Sequence, residues 1–398
     1  MSNKAALFLV YGLALALSPA EAVELGQGVQ AHGFLSQSLV LTSDNRVGGR
    51  SDDGIAADLR EIGGNLSWRP SADWLLSGQV LARWAGESDG GDLRLDYGFV
   101  DRGLIANGDS AVGVRLGKIK NPYGFHNTTR DVAHTRPGII MPQSIYMDRA
   151  RNFWLAAPGI SLYGNHEATD GNLSWQISAL RPEVDDPDLN YFMLGRNFGH
   201  FQGKSSWLGQ AMLESAGGRW RAALSLGEMA MKYHPSGVAG DLTAGRTRLP
   251  TWVISLENNT EYWSLTGEYS QTSVYSSGYG SASIEKDNTT EAGYLQATRR
   301  FGAGWQGFLR YDVFYFDRSD RDGTAFAAKT LAEGRPLPVH MRFAQDWSVG
   351  VRRDVGRWAW SGEWHHVDGT AWLSPTDTPV AATVRKWDML LLQGAWYF

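Results

Sequence analysis

Seven cations fall between residues 115 and 151: Arg115, Lys118, Lys120, Arg130, Arg136, Arg149 and Arg151. The anions of that stretch are Asp131 and Asp148, so seven against two leaves +5 inside a chain of net charge -5. Such a cluster does no covalent chemistry. It can hold or pass anions, because Arg and Lys beside a low-dielectric wall concentrate the field. Other chemistries find less support. His365 and His366 are adjacent, and a strand turns them to opposite faces, so they cannot share a metal. Glu183, Asp185, Asp186 and Asp188 would suit calcium bridging to lipopolysaccharide, but read more simply as a solvated acidic loop. Ser and His occur without the pattern of a nucleophile, base and acid, and no His-Glu-x-x-His or nucleotide-binding glycine loop is present. Cysteine is absent, which removes thiolate sites and cysteine nucleophiles. No catalytic residue, metal, cofactor or nucleic-acid partner is therefore expected.

Charges of this kind need a wall to hold them. From Gln27 to Phe398 the sequence reads as repeated strands of ~9–11 residues or a little more, the length that crosses an outer membrane at a tilt. Trp74, Leu76, Gly78, Val80, Ala82 and Trp84 share one face of such a strand, with Ser77, Gln79 and Arg83 on the other. Leu173, Trp175, Ile177 and Ala179 alternate with polar residues in the same way, as do Trp358, Trp360, Gly362 and Trp364. The 17 Trp, 15 Tyr and 15 Phe, together with 47 Gly, fit a lipid-facing barrel with aromatic girdles and glycine-rich bends. No apolar run after Val23 reaches the ~20 residues of a spanning helix.

Before that wall lies a targeting segment. Lys4, the apolar run from Ala5 to Leu17 and Ala20-Glu21-Ala22 form a secretory signal peptide over 1–22, leaving 23–398 as one barrel domain. The few residues from Val23 to Gln27 leave no room for an amino-terminal plug. Connections alternate between short and long, and seven turns with eight loops join sixteen strands. The fold class expected is all-β: a transmembrane antiparallel barrel with short periplasmic turns and long outer loops. The longest connection, 121–158, carries Phe125, Ile139, Ile140, Met141, Ile145, Tyr146, Phe153 and Trp154, and a loop that only waved in solvent would not need them. It is expected to fold into the lumen as a constriction. If the Trp and Leu faces meet lipid, Arg83, Arg94, Arg102 and Arg115 face the lumen, with Asp96 among them. Later strands are mixed, with Arg221, Arg310 and Arg352 against Glu268, Asp312, Asp346 and Glu363, and some of these should pair.

The run Gly117-Lys118-Ile119-Lys120-Asn121-Pro122-Tyr123-Gly124-Phe125 resembles the corresponding run of phosphate-selective porins of the O/P type. That resemblance implies a trimeric sixteen-stranded channel in the outer membrane of a Gram-negative bacterium, with Lys118, Lys120 and the nearby Arg130 on an anion path. The run from Pro137 to Pro142 departs from the family's pattern. The terminal strand also resembles that of bacterial outer-membrane proteins: Leu390, Leu392, Trp396 and Phe398 share a face around Gly394. This implies handling by the barrel-assembly machinery and contact with outer-membrane lipid and lipopolysaccharide. The function expected is a water-filled diffusion channel for small hydrophilic solutes, phosphate or other small anions foremost. Alternatives are a channel specific for organic acids or hydrophobic compounds and, less favoured, a hydrolase in the barrel wall.

Overall fold

The computed structural model describes residues 23–184, 186–194, 199–237, 242–281 and 284–398, so the expected signal peptide lies outside the described residues. An eighteen-stranded sheet includes two short strands, Val23–Gly26 and His200–Gly203, that pair onto longer neighbours. The other sixteen close into the expected barrel. They are β1 (Val29–Thr42), β2 (Ala56–Ser71), β3 (Trp74–Trp84), β4 (Arg94–Asn107), β5 (Ser110–Lys120), β6 (Ala156–Ala168), β7 (Gly171–Leu180) and β8 (Ser206–Ser215). The second half is β9 (Trp220–His234), β10 (Arg246–Asn259), β11 (Trp263–Ser277), β12 (Lys286–Gly302), β13 (Trp305–Tyr315), β14 (Phe343–Val355), β15 (Trp358–Gly369) and β16 (Lys386–Tyr397). All ladder pairings are antiparallel, and β16 pairs with β1 from Met389↔Thr42 to Tyr397↔Phe34. Closure gives every strand two neighbours, so no sheet edge faces lipid.

The outer face is apolar, as a membrane requires. Leu39, Leu66, Ile177, Ile254, Leu309 and Leu392 are among the large side chains it exposes. Trp68, Trp74, Trp220, Trp263, Trp305 and Trp358 are exposed at strand ends beside the short turns, forming one girdle. Trp207, Tyr275, Trp347 and Trp364 lie toward the long loops. Among the described residues no helix is long and apolar enough to cross a membrane. Inward positions carry small or polar groups such as Ser38, Gln79, Ser161, Ser255 and Gln393.

One irregularity changes which residues face inward. Between β3 and β4 the register slips, with Gln79 opposite Tyr97 but Val80 opposite Leu95, so Asp96 is an extra residue. An extra residue reverses the alternation beyond it. Leu95 is exposed, Asp96 and Tyr97 are both buried, and from there to Gly103 odd-numbered residues face inward.

The carboxy terminus completes the seam. Gly33 and Phe398 exchange both backbone hydrogen bonds, at 3.2 and 3.0 Å. The Phe398 ring lies over Gly33 so closely that an added Cβ would meet it at 2.3 Å. Phe34 covers Gly63 in the same manner. Rings over cross-strand glycines fix register where no side chain could. Replacing Gly33 with Leu should lift the Phe398 ring from the seam and destabilise the folded barrel by about 1–3 kcal/mol. Urea unfolding of the purified barrel in detergent measures this, and an unchanged midpoint would show that the ring is not seated there.

Candidate functional site

Loop 3, residues 121–155, crosses the lumen; it is shorter than the expected 121–158 because β6 already begins at Ala156. Its two ends are tied first. Asn121 N donates to Leu155 O at 2.9 Å, and Asn127 Nδ2 donates to the carbonyls of Asn121 (3.0 Å) and Trp154 (2.9 Å). Gly124 is left-handed (φ +60°), and a Cβ there would meet Tyr146 Oη at 2.3 Å, so the chain turns tightly against that ring.

A buried loop must find partners for its backbone. Three wall carboxylates supply acceptors. Glu268 on β11 accepts from Phe125 N at 2.8 Å and from the hydroxyls of Tyr146 (2.5 Å), Tyr294 (2.9 Å) and Ser255 (2.5 Å). Glu363 on β15 accepts from Ile139 N and, at 3.4 Å, Ile140 N. Asp312 on β13 accepts from Ser144 N at 3.3 Å. Arg310 returns a hydrogen bond from Nη2 to Ile140 O at 3.1 Å. Packing adds to this. Ile139, Ile140, Met141 and Ile145 form a core with Val40, Val367, Leu391 and, from loop 8 (370–385), Trp372. Full burial of each such side chain is worth ~1.5–3 kcal/mol.

The other side of loop 3 carries the cations and meets β2–β4. Arg83 is buried against Asp148, Asp89 (3.3 Å) and Glu61 (3.4 Å). Arg94 pairs with Asp89 at 2.9 Å, Lys120 with Asp131 at 2.6 Å and Arg136 with Glu61 at 2.5 Å. Arg130 donates to Tyr146 O at 2.9 Å and lies 3.5 Å from Asp148; Arg151 lies 3.6 Å from Asp96. Arg149 donates to Leu373 O of loop 8 at 3.2 Å. Burial, with the neighbouring charges of Arg151, Arg136 and Arg83 and against Asp148, pushes the Arg130 guanidinium down to about 9. Burial alone would raise Asp148, but Arg83, Arg130, Arg151 and Arg136 hold it well below the usual carboxylate range.

Two expected lumen residues are placed differently, and a third is paired. Arg102 faces outward, its guanidinium 5.0 Å from the ring of the exposed Trp74, because the extra residue Asp96 reverses the phase of β4. Lys118 follows Leu116, two residues earlier and 64% exposed, onto an outer-surface groove shared with Pro158 and Ile160, and pairs with Glu183 at 2.7 Å. Arg115 stays inside but pairs with Asp101 at 2.7 Å and lies 4.0 Å from the Tyr163 ring centroid, midway along β5. The excess of +5 also shrinks on folding. Glu61, Asp96, Asp101 and Glu183 arrive from outside the cationic stretch and pair within it.

The space left around loop 3 is a series of cavities rather than one wide bore. An outer vestibule of about 2370 Å³ lies between loops and includes Arg149 and Leu373 in its wall. Both residues also line a middle cavity of about 880 Å³. Arg136, Ile139 and Gln393 then pass from the middle cavity into an inner vestibule of about 1140 Å³ toward the short turns. The middle cavity is lined by Arg46, Arg83, Arg130, Arg136, Arg149 and Arg151, six guanidiniums, against the four carboxylates Glu61, Asp148, Asp188 and Asp377.

No family model matches the sequence, and no curated protein is similar to it. Solved structures are similar in fold. An anion-selective porin from Comamonas acidovorans matches with a TM-score of 0.56 at 13% identity, covering 93% of this chain and 99% of that one. The outer membrane channel DcaP of Acinetobacter baumannii matches at 0.57 and 12%, covering 96% and 100%. OmpT of Vibrio cholerae, in a trimer form, matches at 0.52 and 11%, covering 93% and 99%. The fold is that of a porin.

Two other clusters have structural partners. His365 is buried between Asp346 (2.8 Å) and Glu363 (3.2 Å), whereas His366 faces the exposed Asp388 at 3.0 Å, so the pair does point to opposite faces. The acidic loop is not solvated as expected. Asp188 is buried and accepts from Ser88, Ser374 and Thr376; Asp186 accepts from Leu189 N at the start of α1 (Pro187–Leu194). Asp185 lies outside the described residues. Loop 8 was missed as part of the site, although Ala371-Trp372-Leu373 carries the same signal as loop 3, an apolar run inside a long connection.

Glu268→Gln should loosen loop 3, since an amide nitrogen cannot accept the donors that one carboxylate oxygen now takes. The loss of charge-assisted hydrogen bonds should cost about 1.5–3 kcal/mol each. Faster trypsin cleavage within loop 3 and a larger single-channel conductance would show it; wild-type cleavage and conductance would show that the loop is held elsewhere.

Proposed function

We propose that this chain is an outer-membrane channel through which small hydrophilic solutes diffuse, with a preference for anions. The observation that carries the reading is the middle cavity, the smallest of the three in series, where guanidiniums outnumber carboxylates. A solute leaving the outer vestibule meets Arg149 first, then Arg130 and Arg83, then Arg136. Fixed charges in a confined wall replace part of an anion's hydration and repel cations. Arg83 and Arg136 are held by carboxylates, so they set a potential without gripping the solute, which favours release over tight binding. A neighbour of the same fold is described as anion-selective, in keeping with this reading. We further take the assembly to be a homotrimer in a Gram-negative outer membrane, inserted by the barrel-assembly machinery and bordered by lipopolysaccharide.

The test is reversal potential in a planar bilayer across a KCl gradient. Wild type should prefer chloride, and Arg130→Gln should lower the anion-to-cation permeability ratio by about twofold or more with the barrel intact. Arg130 suits this because Asp148 keeps Arg83 as partner when it is lost. A cation-selective wild type, or folded barrels with no conductance, would overturn the reading.

Asp377 adds a pH dependence. Burial first, then the charges of Asp188, Asp58 and Glu87, raises its carboxyl to about 6. It is ionised above that value and neutral below, so acidification removes one negative charge from the middle cavity. Anion preference should therefore rise as pH falls from about 7 to about 5, and Asp377→Asn should abolish that rise. A rise that persists in the variant would assign the titration to another group.

A further inference from the structure

Five tryptophans open strands directly after short turns, and three of them face an arginine across the ladder. Trp74 stands opposite Arg102 on β3 and β4, Trp263 opposite Arg299 on β11 and β12, and Trp305 opposite Arg353 on β13 and β14. Trp220 and Trp358 stand opposite Asn258 and Val355 instead. Side chains directly opposite on one face have Cβ atoms ~4.5–5.5 Å apart. In all three pairs the cation uses that proximity. The guanidinium carbons of Arg102, Arg299 and Arg353 each lie 5.0 Å from the facing indole. Arg299 also lies 5.5 Å from the ring of Phe301, on the adjoining turn.

These arginines belong to the outer face, not to the lumen. All three are exposed, as are the three indoles. Arg299 and Arg353 follow the outward Leu295 and Val351 by plain alternation, and Arg102 joins them only through the extra residue Asp96. An arginine on a lipid-facing wall is costly at mid-bilayer and tolerated at the interface, which is where the girdle places these. A guanidinium carries five N–H donors and no acceptor. Among the described residues none of the three makes an ion pair or a side-chain hydrogen bond. Arg248, Arg321 and Arg385, toward the long loops, differ on this point. They hold Glu228 (2.6 Å), Glu291 (2.5 Å) and Asp368 (2.6 Å).

We propose that the three indole–guanidinium pairs bind the phosphate of anionic phospholipids in the leaflet that faces the periplasm. The indole holds the cation at the interface, and its open donors match phosphate oxygens. A lipid with net negative charge is preferred, because the ammonium of a zwitterionic head group opposes the arginine. Val100, Leu265 and Leu309 are exposed on the same wall, within a few residues of the three pairs. Acyl chains lie on them, a hold that inorganic phosphate lacks.

The experiment is native mass spectrometry of the purified full barrel in detergent, with phosphatidylglycerol and phosphatidylcholine of the same acyl chains. Wild type should retain phosphatidylglycerol about tenfold more tightly, and equimolar inorganic phosphate should not displace it. Arg102→Gln, Arg299→Gln and Arg353→Gln combined in one chain should lower that preference about tenfold. Arg248→Gln, Arg321→Gln and Arg385→Gln remove the same charge from the other rim and should leave the preference within about twofold. Heat-modifiable gel mobility confirms that each variant is a closed barrel. Equal retention of the two lipids by wild type, displacement by equimolar phosphate, or the same loss in both variants overturns the proposal. An unchanged preference in the first variant overturns it too, and dissociation of that variant's oligomer would then assign the arginines to contacts between copies of the chain.

Discussion

A polypeptide segment lying inside a barrel has no bulk water on which to rest its amide groups, and the structure answers this with carboxylates. Glu268, Asp312 and Glu363 stand on alternate strands of one wall and receive the N–H groups of Phe125, Ser144, Ile139 and Ile140. Glu268 is satisfied by its donors, and Glu363 adds His365 at 3.2 Å to its own. These three wall acids of the second half of the chain are thereby engaged with loop 3. The arginines of the first half and of the loop are left to define the open space.

This division explains a pattern that is only mixed in sequence. Inward acids on β11, β13 and β15 look like partners for Arg221, Arg310 and Arg352. In the folded chain Arg310 instead reaches Ile140 O, Arg221 pairs with Glu257 and Arg352 with Asp354. Backbone groups compete for side-chain partners, and their needs cannot be read from residue types. The same holds for the apparent surplus of cations, which depends on which acids the fold brings near.

The barrel itself was legible because its signals are periodic and redundant. Alternation and girdle tryptophans point to a barrel, and the rhythm of short and long connections gives its sixteen strands. Loop 3 was legible as a lumen segment because apolar residues in a long connection have to be buried somewhere, and the same argument applied to Trp372 would have found loop 8. What could not be read was parity. A single extra residue, Asp96, turns Arg102 to the outside, and nothing in the residue types near Gln79 announces it. Lys118 was assigned by the cationic cluster and by resemblance, whereas plain alternation from Leu116 sends it outward. Arg83, Lys120, Arg130, Arg136, Arg149 and Arg151 do meet around the middle of the lumen, drawn together by loop 3 and the strands it lies against.

The seam between Gly33 and Phe398 bears on how the molecule comes into being. The first long strand and Phe398 meet, so the ring of strands stays open until the chain as far as Phe398 has been made. Loop 3 lies early in the chain, yet its anchors on β11, β13 and β15 come more than a hundred residues later. Contacts so distant in sequence form slowly, and until they form both the lipid face and the loop's apolar core are exposed to water. The lumen segment and the wall around it must therefore mature together, and a chain released before Phe398 would have neither a closed circumference nor a settled interior.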